Sequence, residues 1–449
     1  MLNIDYREPI AAVATPPGRA AVGIVRISGS NIEAFCNAIL GFVPEPKVAR
    51  YLPFLDSEGF AIDKGIAIYF PGPASLTGEN ILELQAHGGP VILDLILART
   101  LELGARIANP GEFSERAFLN KKMDLIQAEA IADLIQAGTI EAARSAIKAI
   151  EGSFSIQVNE LVDKLAEFRA FIEAGIDFSE DGIPFLDDRR VGHSLCEIQT
   201  TISYLLLRAQ QGRLLRDGVT LVIAGKPNSG KSSLLNVLSN KEIAIVTTYP
   251  GTTRDILRES IHISGMPVHV VDTAGIRDSD DCIEQEGIRR ARQEIEAADR
   301  ILWMIDATDP EHIQLDSIPT NKPNMTKIYN KIDLLGKDPC IRLTEEQTEI
   351  FLSVKTGHGM DLLYEHIKDC IGYNEQIDNV FIARRRHLDA LTKARCSIEQ
   401  AAKHVLDIHT AELIAEDLRN AQHCLSLITG VFTTDDLLDK IFASFCIGK

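Results

Sequence analysis

Paired cysteines are missing from this chain. Its eight cysteines are scattered over 449 residues and no two stand at C-x-x-C spacing, which argues against a structural zinc site and for reduced thiols. Positive charge is also in short supply. With 46 Lys and Arg against 64 Asp and Glu, the formal net charge is -18, so the chain does not coat nucleic acid by bulk phosphate neutralisation. Any RNA contact needs a local patch or a partner's surface. The densest basic run, Arg384-Arg385-Arg386-His387, reads either as such a patch or as a helix start whose cations pair with neighbouring acids. No apolar run reaches membrane-spanning length, and Met1-Leu2-Asn3-Ile4-Asp5-Tyr6 lacks the basic start and apolar core of a signal peptide. A cytoplasmic protein without membrane contact is expected.

What is present fits a folded, multidomain protein. Hydrophobic residues make up 45% and charged residues 24%, an ordinary globular balance, and the length calls for two or three cores. Up to about residue 120, short β-rich runs such as Ala21 to Ile27 and Gly65 to Phe70 lie between Pro and Gly clusters, with a helix expected near Val91 to Leu103. From Met123 the spacing becomes helical, with Leu125, Ile126, Ile131, Leu134 and Ile135, then Leu161, Leu165, Phe168, Phe171 and Ile172. Alternating strand and helix signals run from Val219 to about residue 373. A helical stripe then returns with Leu388, Leu391, Ala394, Ile398, Ala401 and Val405, followed by Leu413, Leu418, Leu425 and Ile428. The reading is a multidomain α+β and α/β chain: an α+β domain over 1–120, the first half of a helical domain over 121–217, an inserted α/β domain over 218–373, and the second helical half over 374–449.

The inserted domain carries the chemistry. Gly225-Lys226-Pro227-Asn228-Ser229-Gly230-Lys231-Ser232 is a complete G-x-x-x-x-G-K-S phosphate loop between a strand and a helix expected to start near Ser233. In such a loop the backbone N–H groups close on phosphates, Lys231 neutralises β and γ oxygens, and the Ser232 hydroxyl ligates Mg2+. Downstream, Val268-His269-Val270-Val271-Asp272-Thr273-Ala274-Gly275 puts an acid at a strand end beside the Mg2+ shell and offers the Gly275 N–H to the γ-phosphate. Between the two, Gly251-Thr252-Thr253-Arg254-Asp255 reads as a switch whose Thr253 completes the Mg2+ shell only when that phosphate is present. Asn330-Lys331-Ile332-Asp333 selects guanine, because the Asp333 carboxylate accepts from N1–H and the exocyclic amine. Ser353-Val354-Lys355 follows the strand-like run Ile350 to Leu352 and resembles the base-supporting loop of the same superfamily. The position that in Ras-like proteins orients the attacking water with a glutamine is Ile276, which cannot do so.

Segments outside these motifs carry a wider resemblance. Ala14-Thr15-Pro16-Pro17-Gly18-Arg19, Leu84 to Pro90, Pro110 to Asn120 and the ending Phe445-Cys446-Ile447-Gly448-Lys449 make the chain similar to the MnmE/TrmE family of tRNA modification GTPases over essentially its whole length. The resemblance implies hydrolysis activated by K+, held by Asn228 with Thr247, Tyr249 and Thr252 of the loop Thr247-Thr248-Tyr249-Pro250-Gly251-Thr252, and supplying the charge of an arginine finger. It assigns the water-orienting carboxylate to Glu284. It implies an N-terminal tetrahydrofolate-binding and dimerisation domain, with Arg26, Glu83, Lys122 and Lys449 on 5-formyl- or 5,10-methylene-tetrahydrofolate, and leaves Cys446 either a nucleophile or a buried thiol. Its implied partners are a second copy, tRNA, and an MnmG/GidA-type flavoprotein in a heterotetramer. The implied product is a 5-carboxymethylaminomethyl or 5-aminomethyl group on wobble uridine 34. The alternative readings are a ribosome-assembly-type regulatory GTPase without one-carbon chemistry and a stand-alone folate enzyme with a regulatory GTPase domain.

Overall fold

Side chains in the first hundred residues alternate between buried and exposed, and this period of two builds a six-stranded sheet. In this computed structural model the described residues are 8–177, 189–241, 258–263, 266–272, 296, 298–309, 324–344, 347–372, 380–405, 411–431, 438, 441–442, 445 and 448. The strands are β1 (Ile10–Val13), β2 (Ala20–Gly29), β3 (Arg50–Leu55), β4 (Ala61–Phe70), β5 (Asn80–Gly88) and β6 (Arg106–Ile107), in the order β3-β4-β5-β2-β1-β6. Neighbours are antiparallel except β1 and β6.

One face of the sheet presents Val25, Ile27, Ala67, Tyr69, Leu82 and Leu84 to helices α1 (Ile32–Leu40) and α2 (Pro90–Glu102), which add Phe35, Ile39, Leu93 and Ile96 to a common core. Helix α2 falls where the sequence placed one, opening with Pro90 at its first turn, where a missing N–H costs nothing. The opposite face carries Arg26 and Ser28 on β2 and Glu83 on β5, with Arg26 directly across from Glu83. Helix α3 (Glu112–Leu119) is buried along most of its length, Glu112 and Arg116 included.

Four helices follow: α4 (Leu125–Gln136), α5 (Ile140–Ile150), α6 (Ser153–Asp177) and α7 (Arg189–Asp217). On α6 the expected stripe Leu161, Leu165, Phe168 and Ile172 is buried, whereas Phe171 stays 37% exposed with the Arg190 guanidinium over its ring. On α4 the buried face differs in part from the expected one. Leu125 and Ile126 are buried as expected, but Ile135 is exposed, and Glu129 and Asp133, one turn apart, are buried and partnered.

The second sheet contains β7 (Val219–Gly225), β8 (Arg258–Ile263), β9 (Met266–Asp272), β10 (Arg300–Asp306), β11 (Met325–Asn330), β12 (Cys340–Leu343) and β13 (Thr348–Phe351), ordered β12-β13-β11-β10-β7-β9-β8. Its five inner strands are parallel and only the edges, β8 and β12, are antiparallel. Strand β7 is buried on both faces. Leu221 and Ile223 pack toward α8 (Lys231–Lys241) and α9 (Met360–Ile371), Val222 and Ala224 into a second cluster with Val271 and Ile301. That two-sided burial is why its sequence is continuously apolar.

Helices α10 (Arg385–His404) and α11 (Ala411–Thr429) complete the described elements. The basic run caps α10 from inside: His387 is buried, and its Nδ1 accepts the Arg384 N–H at 3.1 Å. Helix α11 lies along α6, where Arg169 Nη1 donates to Gln422 Oε1 at 2.7 Å. The chain divides into two compact units, one of residues 1–135, 149–199 and 393–449, the other of 136–148 and 200–392. Among the described residues no helix is long and apolar enough to cross a membrane.

Candidate functional site

Strand β7 delivers the chain to Gly225, and α8 starts at Lys231, two residues before the expected Ser233. The turn between them needs unusual backbone angles. Gly225 has φ +145°, Asn228 +63° and Gly230 +103°. A Cβ at Gly225 would stand 2.3 Å from the Met304 carbonyl oxygen, and one at Gly230 2.2 Å from Asn330 Nδ2, so both positions demand glycine on space as well as conformation. Asparagine is among the few residues that tolerate a positive φ. Lys231 is 8% exposed and its Nζ donates to the carbonyls of Gly225 and Lys226, each at 2.9 Å. Ser232 and Ser233 lie exposed in the first turn of α8, where the helix presents N–H groups and a positive dipole end to an anion.

A buried amide ties this loop to the rest of the site. Asn330, 4% exposed, donates from Nδ2 to the Ser229 carbonyl at 2.9 Å and accepts at Oδ1 from the N–H groups of Lys331 at 2.8 Å and Val354 at 3.0 Å. Three motifs, one 101 residues before Asn330 and one 24 after it, are thus joined through one side chain, and Asn330 serves as their brace. Lys331, at φ +69°, pairs with Asp306 at the end of β10. Burial raises the Asp306 carboxyl, but hydrogen bonds from Lys331 and Thr308 outweigh it and hold the group below the usual carboxylate range. Asp333 is half-buried in the 3-10 turn Ile332–Leu335. Ser353 is fully buried and donates its N–H to the His358 carbonyl at 2.9 Å, while Lys355 is exposed. The structure therefore gathers Asn228, Ser229, Gly230, Lys231, Ser232, Ser233, Asn330, Lys331, Asp333, Ser353, Val354 and Lys355 at the C-terminal ends of parallel strands, the usual ligand edge of such a sheet. Asp306 was missed by sequence reasoning. Its signal was an acid closing the apolar strand that precedes the guanine motif by one strand.

Strand β9 ends at Asp272, whose backbone lies opposite Ile223. Thr247, Thr248, Tyr249, Pro250, Gly251, Thr252, Thr253, Thr273, Ala274, Gly275, Ile276 and Glu284 lie outside the described residues, as do Cys446 and Lys449.

A second charged cluster occupies the outer face of the N-terminal sheet. Arg26 Nε donates to Glu83 Oε1 at 2.9 Å, Nη1 donates to the Gly448 carbonyl at 3.0 Å, and the guanidinium lies over the Phe113 ring at 5.6 Å. Gly448, at φ +91°, packs so closely on β1 that a Cβ there would be 2.6 Å from the Val13 carbonyl oxygen. Residues 422 positions apart meet as a result. Lys122 is exposed beyond the far end of α3. Beneath the cluster, Arg116, 1% exposed, donates from Nη1 to both Glu79 oxygens at 3.1 and 3.2 Å and from Nη2 to Glu112 Oε1 at 3.1 Å. Arg106 grips Glu112 from the other side at 2.5 and 2.7 Å. Burial raises the Glu112 carboxyl, yet the hydrogen bonds from Arg106 and the Asn109 N–H and the nearby guanidinium charges outweigh it and hold the group below the carboxylate range. The i,i+4 spacing of Glu112 and Arg116 is visible in the sequence, but nothing there marks Glu79 as their partner. Cys36 is buried under the same sheet, and burial pushes its thiol up to about 12, so it acts as packing.

Comparison with known proteins matches residues 9–122 to the N-terminus of the GTP-binding protein TrmE and residues 125–446 to the MnmE helical domain. A tRNA modification GTPase MnmE from Methylococcus capsulatus is 53% identical over 446 residues, covering 99% of each chain. Another, from Hydrogenovibrio crunogenus, is 52% identical over 452 residues and covers 100% of each. Among solved structures, the G domain of the T. maritima FeoB iron transporter matches 34% of this chain and 98% of its own at 23% identity, with a TM-score of 0.27 that adds nothing to the assignment. With both family models matched in sequence order and relatives this similar from end to end, the chain belongs to the MnmE (TrmE) family of tRNA modification GTPases.

Proposed function

We propose that this chain is a potassium-activated GTP hydrolase that works as a homodimer with an MnmG/GidA-type flavoprotein in the cytoplasm. The pair converts wobble uridine 34 of certain tRNAs to 5-carboxymethylaminomethyl or 5-aminomethyl products with a one-carbon unit from 5-formyl- or 5,10-methylene-tetrahydrofolate. In this reading the GTPase domain, 218–373, is inserted between helical halves 121–217 and 374–449, and 1–120 binds folate. The observation that carries the hydrolase assignment is the Asn330 brace, which holds the phosphate loop at Ser229 and the base loop at Val354 in one frame with Asp333.

The chain's own groups divide the work. Gly225 and Gly230 let the backbone close on phosphates, and Lys231, now bonded to two loop carbonyls, exchanges them for β and γ phosphate oxygens. Asp333 accepts from the guanine edge, with Asn330, Ser353, Val354 and Lys355 fixing its loop. Gly275, with Thr273 and Ala274, offers N–H to the γ-phosphate, and Glu284 orients the attacking water. The accessible donors are oxygens, which suits hard cations. Ser232 and Thr253 would hold Mg2+, with Asp272 behind it. Asn228, Thr247, Tyr249 and Thr252 would hold K+, whose contribution is fixed positive charge in place of an arginine finger. Arg26 and Glu83 would meet the pterin, whose paired N–H donors suit a carboxylate with acceptor capacity beyond the oxygen taken by Arg26. Lys122 and Lys449 would meet the glutamyl tail, and Cys446 stands as nucleophile or packing.

Hydrolysis should be faster in potassium than in sodium, and Asn228→Ala should erase that difference. Equal rates in both salts would remove the cation from the mechanism. Asp333→Asn should weaken GTP and improve xanthosine triphosphate, since an acceptor becomes a donor at the purine edge. An unchanged preference would refute the guanine assignment.

A further inference from the structure

The turn Thr77-Gly78-Glu79 sits between the two charged ends of the N-terminal cluster, and it is fixed from both sides. The Ser28 hydroxyl, fully buried two residues from Arg26 on β2, donates to Glu79 Oε2 at 2.7 Å and shares a 2.7 Å hydrogen bond with the Thr77 hydroxyl. Arg116 holds both Glu79 oxygens from within α3, and the Asn120 side chain donates to the Thr77 carbonyl at 2.7 Å. Chain continuity does the rest, because Glu79 leads directly into β5 and so to Glu83, which faces Arg26.

The turn also supports Lys122. Gly78 has φ +80°, and a Cβ there would lie 3.2 Å from Lys122 Cγ, 3.3 Å from Lys122 Cδ and 3.1 Å from Asn120 Cβ. The lysine stem therefore runs across the glycine. Lys122 is set in place by the close of α3: Lys121 takes the left-handed conformation at φ +56° and the Lys122 N–H donates to the Ala117 carbonyl at 2.8 Å. Glu83 lies four positions after Glu79, about 13 Å along extended chain at the usual rise. Arg26 and Glu83 lie on paired strands while Lys122 lies beyond the end of α3, so a ligand that meets all three needs a head and a separate anionic tail.

We propose that Gly78, Glu79 and Arg116 are positioning residues of this site. The Glu79 turn, clamped by Arg116 and Ser28, fixes the Lys122 ammonium relative to the Arg26–Glu83 pair, and so selects a pterin ligand that carries an anionic tail. This rests on the folate reading above. None of the three residues need touch the ligand. They act through the stem of Lys122, so their removal weakens capture of the tail and leaves the head's contacts intact.

The experiment compares two ligands on the full-length chain: 5-formyltetrahydrofolate, and the matching formyl-tetrahydropterin without the aminobenzoyl-glutamate tail. Lys122→Ala should weaken the tailed ligand roughly tenfold, the usual scale for a charge-assisted contact, and spare the pterin. Gly78→Asn, which keeps a residue tolerant of positive φ but crowds the lysine stem, and Glu79→Gln, which keeps the shape but loses the charge, should each weaken only the tailed ligand, by roughly three- to tenfold. Combined with Lys122→Ala, neither should add a further loss. Circular dichroism confirms the fold of each variant. If Lys122→Ala weakens the tailed ligand and both turn variants leave it unchanged, lower both ligands equally, or add to the lysine loss in full, the positioning role is overturned and the folate site stands. If the wild-type chain binds neither ligand, or Lys122→Ala changes nothing, the folate reading fails and the proposal with it.

Discussion

At the phosphate loop the chain keeps its shape with main-chain groups, whereas on the outer face of the N-terminal sheet charged side chains do the same work. In the loop, two glycines, a left-handed asparagine and lysine-to-carbonyl bonds define a cradle, and a single neutral amide, Asn330, joins it to the base side. In the N-terminal cluster, Arg106, Glu112, Arg116 and Glu79 form a chain of ion pairs, two of its members almost wholly buried. The materials set the vulnerabilities. A main-chain cradle is broken by volume and is indifferent to acid, while a buried ionic chain is broken by loss of one charge and fails as its carboxylates are protonated.

The largest effect should come from Arg116→Met, which keeps much of the volume but leaves Glu79 without a cation and Glu112 with Arg106 alone. Breaking a buried pair in this way costs about 3–5 kcal/mol, so the N-terminal unit should melt well below wild type by calorimetry or hydrogen exchange, while GTP binding by the other unit persists. Equal loss in both units would erase the distinction drawn between them.

Asn330→Ala should cost about 1–3 kcal/mol, since the Val354 N–H and Ser229 carbonyl lose a buried partner. Here nucleotide affinity should fall along with domain stability, because one amide frames both loops. Normal GTP affinity in a stably folded Asn330→Ala protein would show that the brace has no part in binding.

Acid separates the ionic chain from the main-chain cradle. The folded Glu112 carboxyl is held below its unfolded value, so its contribution is fully present above the ordinary glutamate pKa of about 4.3. It is lost as pH falls through the depressed folded value. Wild type should therefore lose N-terminal stability on acidification below that range, and Glu112→Gln should show a shallower dependence from a lower starting point. Parallel pH curves for the two proteins would contradict the account.

The smallest effect expected is a gain. Lys121 sits at the end of α3 with φ +56°, a conformation that costs a side-chain-bearing residue about 1–2 kcal/mol, part of which glycine returns through its own backbone entropy. Lys121→Gly should thus raise N-terminal stability by about 0.5–1 kcal/mol, measured by denaturant midpoint.

The same contrast explains what could be read before the fold was known. A cradle made of main chain must write itself locally, so Gly225 to Ser232 announced the loop. The two-sided burial of β7 likewise announced itself as an unbroken apolar run. An ionic chain leaves no such mark. Ser28, Glu79, Glu112 and Arg116 come from a strand, a turn and a helix, and each alone looks like an ordinary polar residue. Arg26 and Glu83 were found only through resemblance, and their partner Gly448 only through tertiary structure. The exposed Ile135 and buried Asp133 on α4 show the same limit, because periodicity counts apolar residues and cannot see which polar ones have partners.

Mass analysis of tRNA nucleosides decides whether this tRNA modification GTPase serves the wobble position as proposed. Cells lacking the chain should lose 5-aminomethyl-type wobble uridines and regain them with the wild-type chain, but not with Lys231→Ala. Unchanged levels of those nucleosides in the deleted cells would contradict the account.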